Sequence, residues 1–292
     1  MEPLKAKYIR LDHCRGIRPV HKMKLLKYDP PLEKLLHMPP LSLKKLLNMQ
    51  AAPFEAFYYD LHHLDIKPVL SLYAKHHIRL LTPLDPEYPS LLKETYQPPL
   101  VLYAIGDLSL LQARSLAVVG SRKAAGDAQQ VVEQILPLLI KKNFVIASGL
   151  ARGVDTIAHT AAMKLGGRTI AVLGSGFFHI YPGENKLIAE QIKQNHLLLS
   201  EYPPATRPQK WHFPERNRII SGLSEGVLVV QAERRSGSLI TADFALQEGR
   251  EVFSIPGNVL DPLSAGTNHL IQQGAKLVAS SEDILEELRM DG

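Results

Sequence analysis

The chain has 292 residues, of which 45% are hydrophobic and 22% charged, so it is long enough and apolar enough to form a large folded core. Lysine and arginine number 34 against 29 aspartate and glutamate, an excess that is compatible with a polyanionic partner without requiring one. The single cysteine, Cys14, excludes an internal disulfide framework, and the lack of a signal peptide or of an apolar run of about 18 residues predicts a cytoplasmic protein.

Residues 1–77 are predicted to form a small helical module. Leucine, methionine and histidine recur at helical spacing, and the prolines of "DPPLEK" and "MPPLSLKK" fall where helices should begin. The segment "HCRGIRPVHKMKLL" resembles helix-hairpin-helix or sterile-alpha-motif-like units only weakly, since it lacks a second glycine. A helical packing or partner-binding module is therefore kept as the alternative.

Residues 78–292 are predicted to form a Rossmann-like domain. Apolar, β-rich runs alternate with helical segments, and these runs are "SLAVVGS", "FVIASGL", "TIAVLGSG", "HLLLSEY", "GVLVVQA" and "EVFSIPG". Strands that are apolar at nearly every position are those that helices cover on both faces. The alternation therefore predicts an α/β fold with a doubly wound, mostly parallel sheet.

The loop after the first of these strands, "VVGSRKAAGDAQ", is a candidate phosphate site. Ligands of doubly wound sheets bind beyond the carboxyl ends of the strands. Gly120, Ser121 and Arg122 lie at this point, where free amides and a guanidinium can hold a phosphate. The loop lacks the GxGxxG spacing of dinucleotide-binding proteins, so a simple structural turn is the alternative.

The next loop, "ASGLARGVDTIAHTAAM", repeats the arrangement. Gly149 follows a strand, and Arg152 precedes a helix that Asp155 is predicted to cap. His159 shares a helix face with Asp155, but no third ligand or nucleophile is spaced to join them. We therefore predict a buried, hydrogen-bonded histidine and no catalytic pair.

The loops nearer the C-terminus add binding groups without catalytic ones. "LGSGFFHIYPGEN" is predicted to line the mouth of a pocket. In "QAERRSGSLITADFA", Ser236, Gly237 and Ser238 stand at the head of a helix, which favours an anion. The sequence contains no GxxxxGK[ST], no HExxH and no carboxylate cluster spaced to hold magnesium. We therefore predict a binding pocket with no catalytic residue, no metal and no cofactor.

The segment "KWHFPERNRIIS" is rich in rings and cations. An exposed ring beside Lys210, Arg216 and Arg218 offers a face on which a nucleobase stacks and charges that meet its backbone. Such a surface is typical of sequence-tolerant binding to single strands. The alternative is that Trp211 and Phe213 are core residues and that both arginines are solvated.

These motifs together resemble the DprA/Smf family of bacterial DNA-processing proteins, in chain order from about residue 80 to the C-terminus. The resemblance implies a non-catalytic recombination mediator of natural transformation. Such proteins bind and protect single-stranded DNA, help load RecA recombinase onto it, and form homodimers through the Rossmann-like domain, with no membrane insertion. Many members carry a winged-helix-like module after that domain, and we expect this chain, which finishes at "EDILEELRMDG", to lack it.

The resemblance also implies a set of DNA-binding residues, to which we add Arg152 from the loop pattern. In it Phe213 becomes the stacking platform, while Trp211 stays undecided. The predicted set is Gly120, Ser121, Arg122, Ser148, Gly149, Arg152, Lys210, Phe213, Arg216, Asn217, Arg218, Ser236, Gly237 and Ser238.

Two other functions remain open on the sequence. One is a nucleotide-binding or nucleotide-processing Rossmann enzyme related to the lysine-decarboxylase-like phosphoribohydrolases. Those enzymes carry a PGGxGTxxE-type element, and the corresponding loop here, "RRSGSLITADFA", lacks its catalytic glutamate. The other is an interaction scaffold whose basic loops contact acidic proteins.

Overall fold

The computed structural model describes residues 3–124 and 126–288. Its strands are β1 (Arg79–Leu81), β2 (Leu102–Gly106), β3 (Ser115–Val119), β4 (Val145–Ser148), β5 (Arg168–Leu173), β6 (Leu197–Ser200), β7 (Gly226–Val229), β8 (Glu251–Ser254) and β9 (Lys276–Leu277). Its α-helices are α1 (Leu4–His13), α2 (Pro19–Tyr28), α3 (Pro40–Leu47), α4 (Ala51–His63), α5 (Lys67–Lys75), α6 (Ser90–Lys93), α7 (Gly126–Lys141), α8 (Val154–Lys164), α9 (Lys186–Asn195), α10 (His212–Leu223), α11 (Gly237–Gln247), α12 (Ala265–Gln272) and α13 (Ser281–Glu287). Short 3-10 helices lie at Leu35–His37, Leu108–Gln112, Gly183–Asn185 and Pro262–Ser264.

The segment before β1 is helical, as predicted. Prolines occupy the first turns of α2, α3 and α5, where a missing amide hydrogen costs no helical bond. "MPPLSLKK" starts α3 as predicted, whereas "DPPLEK" forms a turn before a 3-10 helix.

The core of these first helices continues into the sheet. Leu11, Leu43 and Phe57 belong to the same buried apolar cluster as Tyr103 of β2 and Leu198 of β6. A division of the chain at residues 77 and 78 therefore stays a prediction.

Within the described residues, the strands form one nine-stranded sheet in the order β1-β2-β6-β5-β4-β3-β7-β8-β9. Along the sheet, every pairing in the series β6-β5-β4-β3-β7-β8-β9 is parallel. Strand β2 pairs antiparallel with both β1 and β6. The predicted α/β class with a mostly parallel sheet is confirmed. The sequence analysis did not predict the antiparallel strands β1 and β2, because their apolar runs are short and flanked by prolines.

Helices cover both faces of this sheet. Leu116 and Val118 of β3 pack with α7 and α8, whereas Ala117 and Val119 pack with α10 and α11. Alternate residues of a strand point to opposite faces, so the sheet is doubly wound. In the part of the chain that the structure describes, none of the helices has the length and apolar character needed to cross a bilayer.

The strand order reverses between β3 and β7. The chain proceeds from β3 to β6 on one side of this point and from β7 to β9 on the other. Loops that leave neighbouring strands in opposite directions open a crevice at the carboxyl edge of a sheet. The topology thus places the candidate site beyond β3 and β7.

Candidate nucleic-acid interface

A cleft of about 580 Å³ opens at this reversal, and we call it the switch-point cleft. Its walls come from the loop after β3, the start of α8, one face of α10 and the start of α11. It is lined by Val119, Gly120, Ser121, Arg122, Lys123, Ala151, Asp155, Tyr181, Lys210, Phe213, Pro214, Arg216, Asn217, Ile220, Glu233, Ser236, Gly237, Ser238, Ile240 and Thr241.

The loop after β3 is held tightly at its base. A Cβ atom at Gly120 would lie 2.6 Å from Cγ2 of Val154, so only glycine fits. The amide of Ser121 donates to the carbonyl oxygen of Gln231 at 2.7 Å, and the Ser121 hydroxyl accepts from an amide of the same loop at 3.1 Å. These bonds leave Arg122 exposed on the rim of the cleft.

Phe213 presents a half-buried ring to the cleft from the first turn of α10. The guanidinium carbon of Arg122 lies 5.5 Å from its centroid, and the Tyr181 ring lies 5.6 Å away at an interplanar angle of 50°. A Cβ at Gly174 would come within 2.9 Å of the ring, so that glycine makes room for it. Phe213 is therefore not a core residue.

Arg216 forms the floor of the cleft and is only 3% exposed. Its Nη1 donates to the carbonyl oxygen of Val172 at 2.7 Å, and its Nη2 lies 4.0 Å from Oδ2 of Asp155. Desolvation lowers the pKa of Arg216 and raises the pKa of Asp155. For each of the two groups, the desolvation of its charged form thus outweighs its attraction to the other. A bound anion would be a further partner for the Arg216 guanidinium.

Arg218 lies outside the lining of the cleft. Its Nη2 is 2.5 Å from a carboxylate oxygen of Glu201, and its Nη1 donates to the carbonyl oxygen of Gln97. Both side chains of this ion pair are largely buried. The alternative in which Arg216 and Arg218 are solvated is wrong. Arg218 connects α10 to Glu201 and to the backbone at Gln97.

The structure brings neither Ser148 nor Arg152 into the lining. Ser148 is fully buried and donates its hydroxyl to the carbonyl oxygen of Val118 at 2.7 Å. Arg152 is exposed and forms two hydrogen bonds of 2.9 and 2.8 Å with the carboxylate of Glu184. Gly149 is buried behind the floor, against the guanidinium of Arg216.

The head of α11 supplies neutral donors. Ser236 caps this helix, since its Oγ accepts from the amide of Ser238, and the two hydroxyl oxygens are 2.7 Å apart. The Asn217 side chain donates to the carbonyl oxygen of Gly237 at 3.2 Å, which ties α10 to α11. The hydroxyls of Ser236 and Ser238 are therefore the neutral groups that this helix start offers to an anion.

His159 confirms the prediction of a buried, hydrogen-bonded histidine. It is fully buried, its Nδ1 lies 2.6 Å from Oγ1 of Thr169, and desolvation lowers its pKa to about 3. Asp155 lies in the first turn of α8, where its carboxylate accepts a hydrogen bond from the amide of Ala151 at 3.2 Å. The capping position is held by Gly153, so Asp155 is not the N-cap residue that the sequence predicted. Over residues 3–124 and 126–288, no group of three or more histidine, cysteine, aspartate or glutamate side chains could hold a metal ion.

Several lining residues were absent from the predicted set. Lys123 neighbours Arg122 and pairs with Glu233 at 3.3 Å, which only the fold could show. Tyr181 belongs to "LGSGFFHIYPGEN", so the prediction that this loop lines the mouth of the pocket is confirmed. Trp211, undecided in the sequence, is 60% exposed and lies outside the lining, with its ring edge-on to His212.

The chain is similar in sequence to a family of DNA recombination-mediator proteins. Residues 79–289 match the family described as DNA recombination-mediator protein A. The chain is 52% identical over 221 residues to DNA processing protein DprA of Bacillus subtilis, covering 75% of this chain and 74% of that protein. It is also 52% identical over 204 residues to DprA of Streptococcus pneumoniae, covering 70% and 72%.

Two solved structures extend this likeness to the fold. The X-ray structure of DprA from Streptococcus pneumoniae matches with a TM-score of 0.87 at 39% identity, covering 99% of this chain and all of that one. A structure of DprA from Helicobacter pylori, described for its single-stranded DNA binding mode, matches with a TM-score of 0.66 at 31% identity, covering 72% and 95%. The chain belongs to the DNA recombination-mediator protein A family.

Proposed function

We propose that this chain is a recombination mediator that holds single-stranded DNA in the switch-point cleft and catalyses no reaction. The observation that carries the proposal is the half-buried ring of Phe213, which faces the cleft between Arg122 and Tyr181. A ring in this position stacks on a nucleobase of any identity, while the guanidinium beside it meets the phosphodiester backbone. This combination fits a single strand and does not require a particular sequence.

The charges of the lining support the same ligand. Arginine and lysine side chains outnumber carboxylates there, since Arg122, Lys123, Lys210 and Arg216 face Asp155 and Glu233. Among the described residues Lys210 forms no ion pair, so its charge is available to a phosphate. The hydroxyls of Ser236 and Ser238 at the head of α11 add donors without a formal charge.

A non-catalytic role fits the carboxylates of the cleft. Asp155 is buried, accepts a backbone amide and faces Arg216, whereas Glu233 is exposed and paired with Lys123. Neither is arranged with a partner as a general base or nucleophile. The alternative of a nucleotide-processing enzyme would need such a group.

Family membership extends the proposal to partners. We include the loading of RecA recombinase onto the bound strand and a homodimer formed through the Rossmann-like domain. The description of the Helicobacter pylori relative, which names single-stranded DNA binding, supports the ligand itself.

The test is fluorescence anisotropy of a labelled thymidine oligonucleotide at two salt concentrations, with unlabelled duplex as competitor. We expect salt-sensitive binding that duplex displaces poorly. Phe213→Ala should remove about 1 to 3 kcal/mol of affinity, the contribution of one stacked base. Tyr59→Ala is the control, because it removes an exposed aromatic ring of α4 that lies outside the lining of the cleft.

Equal affinities of the wild type and Phe213→Ala would contradict the stacking platform. Tight binding of a mononucleotide, with no affinity for the oligonucleotide at low salt, would favour the nucleotide enzyme instead. Retained RecA binding without any DNA binding would favour the scaffold.

A further inference from the structure

A second concavity lies beside the first helices, and we call it the junction groove. It has a volume of about 1120 Å³ and is formed by α1, the end of α5, β1, the end of β2, the last turn of α9 and the loop after β5. None of its lining residues belongs to the switch-point cleft. The junction groove is therefore a separate concavity from the switch-point cleft.

Cationic side chains outnumber carboxylates in the lining of the groove. Lys5, Arg79 and Lys193 line it, and Asp107 is the one carboxylate among its described lining residues. Lys5 pairs with Asp85 at 2.7 Å and Lys193 with a glutamate of its own helix, which leaves Arg79 exposed on β1 without an ion pair in the described structure. The exposed histidines His76 and His77 add hydrogen-bonding groups.

The groove also contains an exposed ring. Phe178 is 42% exposed, and the ring of His76 meets it edge-on at a centroid distance of 5.0 Å. Its neighbour Phe177 is buried in the core and anchors the backbone. Phe178 and Arg79 thus both line the junction groove, as Phe213 and Arg122 both line the switch-point cleft.

One loop joins the two concavities. The segment between β5 and α9 supplies Tyr181 to the switch-point cleft and Phe178 to the junction groove. Three residues of chain span at most about 11 Å, which corresponds to about three stacked nucleotides. Backbone hydrogen bonds from Gly176 to Thr206 and from Phe178 to Pro204 hold this loop in place.

We propose that the junction groove is a second subsite for the same DNA strand, which crosses the loop from Tyr181 to Phe178 after it leaves the switch-point cleft. The inference rests on the proposed function. Charge and the exposed ring favour a nucleic acid, because an acidic peptide would use Arg79 but has no need of an exposed stacking face. The loop that contributes Tyr181 to one concavity and Phe178 to the other favours one strand over a separate ligand.

The experiment uses the whole protein and two thymidine oligonucleotides, one of about two nucleotides, which is shorter than the crossing of the loop, and one of about twenty, so that only the longer one reaches both concavities. Phe178→Ala and Arg79→Ala should each weaken the longer one by about fivefold or more and leave the shorter one unchanged. Unchanged affinity for the shorter one also shows that each variant is folded. Lys141→Ala, which removes an exposed charge outside both concavities, should change neither affinity.

Each other outcome overturns the inference in a distinguishable way. If Phe213→Ala weakens both oligonucleotides while Phe178→Ala and Arg79→Ala weaken neither, the junction groove is not a DNA subsite but the proposed function stands. If Phe213→Ala has no effect on either, the proposed function fails as well. If a polyglutamate peptide binds and Arg79→Ala abolishes that binding without changing DNA affinity, the groove serves an acidic protein segment.

Discussion

A methyl group on Gly149 would lie 1.7 Å from Nη1 of Arg216, so the floor of the switch-point cleft exists because residue 149 has no side chain. The guanidinium lies directly against the backbone at the carboxyl end of β4, from which its Nη1 reaches Val172. Gly149 thus acts on the cleft through Arg216, since it is not itself part of the lining.

Gly149→Ala should displace this guanidinium. We expect a loss of about 1 to 3 kcal/mol in the free energy of unfolding, typical of overpacking in a dense interior, together with weaker binding of the oligonucleotide. Denaturant titration and anisotropy measure the two effects. Gly183→Ala is the control, because a Cβ there meets nothing within 4 Å and its φ is not positive. Equal behaviour of the two variants would show that Arg216 moves without consequence.

Lys210→Ala and Arg218→Ala should separate binding from stability. Lys210 is exposed in the cleft, so its loss should reduce the slope of log affinity against log salt by about one and leave unfolding unchanged. Arg218→Ala leaves the buried carboxylate of Glu201 unpaired and should cost about 3 to 5 kcal/mol of stability with the salt slope unchanged. A reduced salt slope in Arg218→Ala would mean that this side chain reaches the DNA.

Arg216→Met should destabilise the fold through Asp155. The substitution leaves that carboxylate buried without its cation, at a cost of about 3 to 5 kcal/mol. Adding Asp155→Asn should recover part of this loss, because the amide oxygen still accepts from Ala151 and carries no charge. A double-mutant cycle by denaturant titration gives the coupling. Strictly additive losses would show that the two side chains do not interact across their 4.0 Å separation.

His159 should make the protein less stable in acid. The Thr169 hydroxyl donates to Ile146, so it accepts from Nδ1 of His159, and Nε2 has no hydrogen-bond partner in the described structure. The folded state keeps this imidazole neutral down to a pKa of about 3, whereas the unfolded chain binds a proton near pH 6.5. Stability from this residue is therefore present above about pH 6.5 and is lost as the pH falls toward 3.

The measurement compares the free energy of unfolding of the wild type and His159→Phe between neutral and acidic pH. The variant should have a smaller acid slope, even if it is less stable at neutral pH. The difference between the two slopes is the informative quantity, since desolvation also lowers the pKa values of His13, His21, His196 and His212. Identical slopes would show that His159 is protonated without cost.

The sequence by itself determined the architecture and the location of the candidate site. Runs such as "SLAVV" and "LLLS" are apolar at successive positions, and only burial on both faces explains that pattern, so the parallel, doubly wound sheet followed. The carboxyl-edge loops then had to converge, and Gly120, Arg122 and Ser236 lie where they were predicted. The antiparallel strands β1 and β2 were not predicted, because they are short and flanked by prolines.

Only the tertiary structure decided which charges face the cleft. Arg216 and Arg218 stand two residues apart on α10, and about 100° of rotation per residue places them on opposite sides of the helix. One side of the helix meets the carboxyl edge of the sheet, and the other meets Glu201, which lies 17 residues before Arg218. No local sequence pattern indicates which of the two arginines Glu201 will contact. The same holds for Ser148, because a serine at a strand end turns inward or outward according to the neighbour that accepts its hydroxyl, here the carbonyl of Val118.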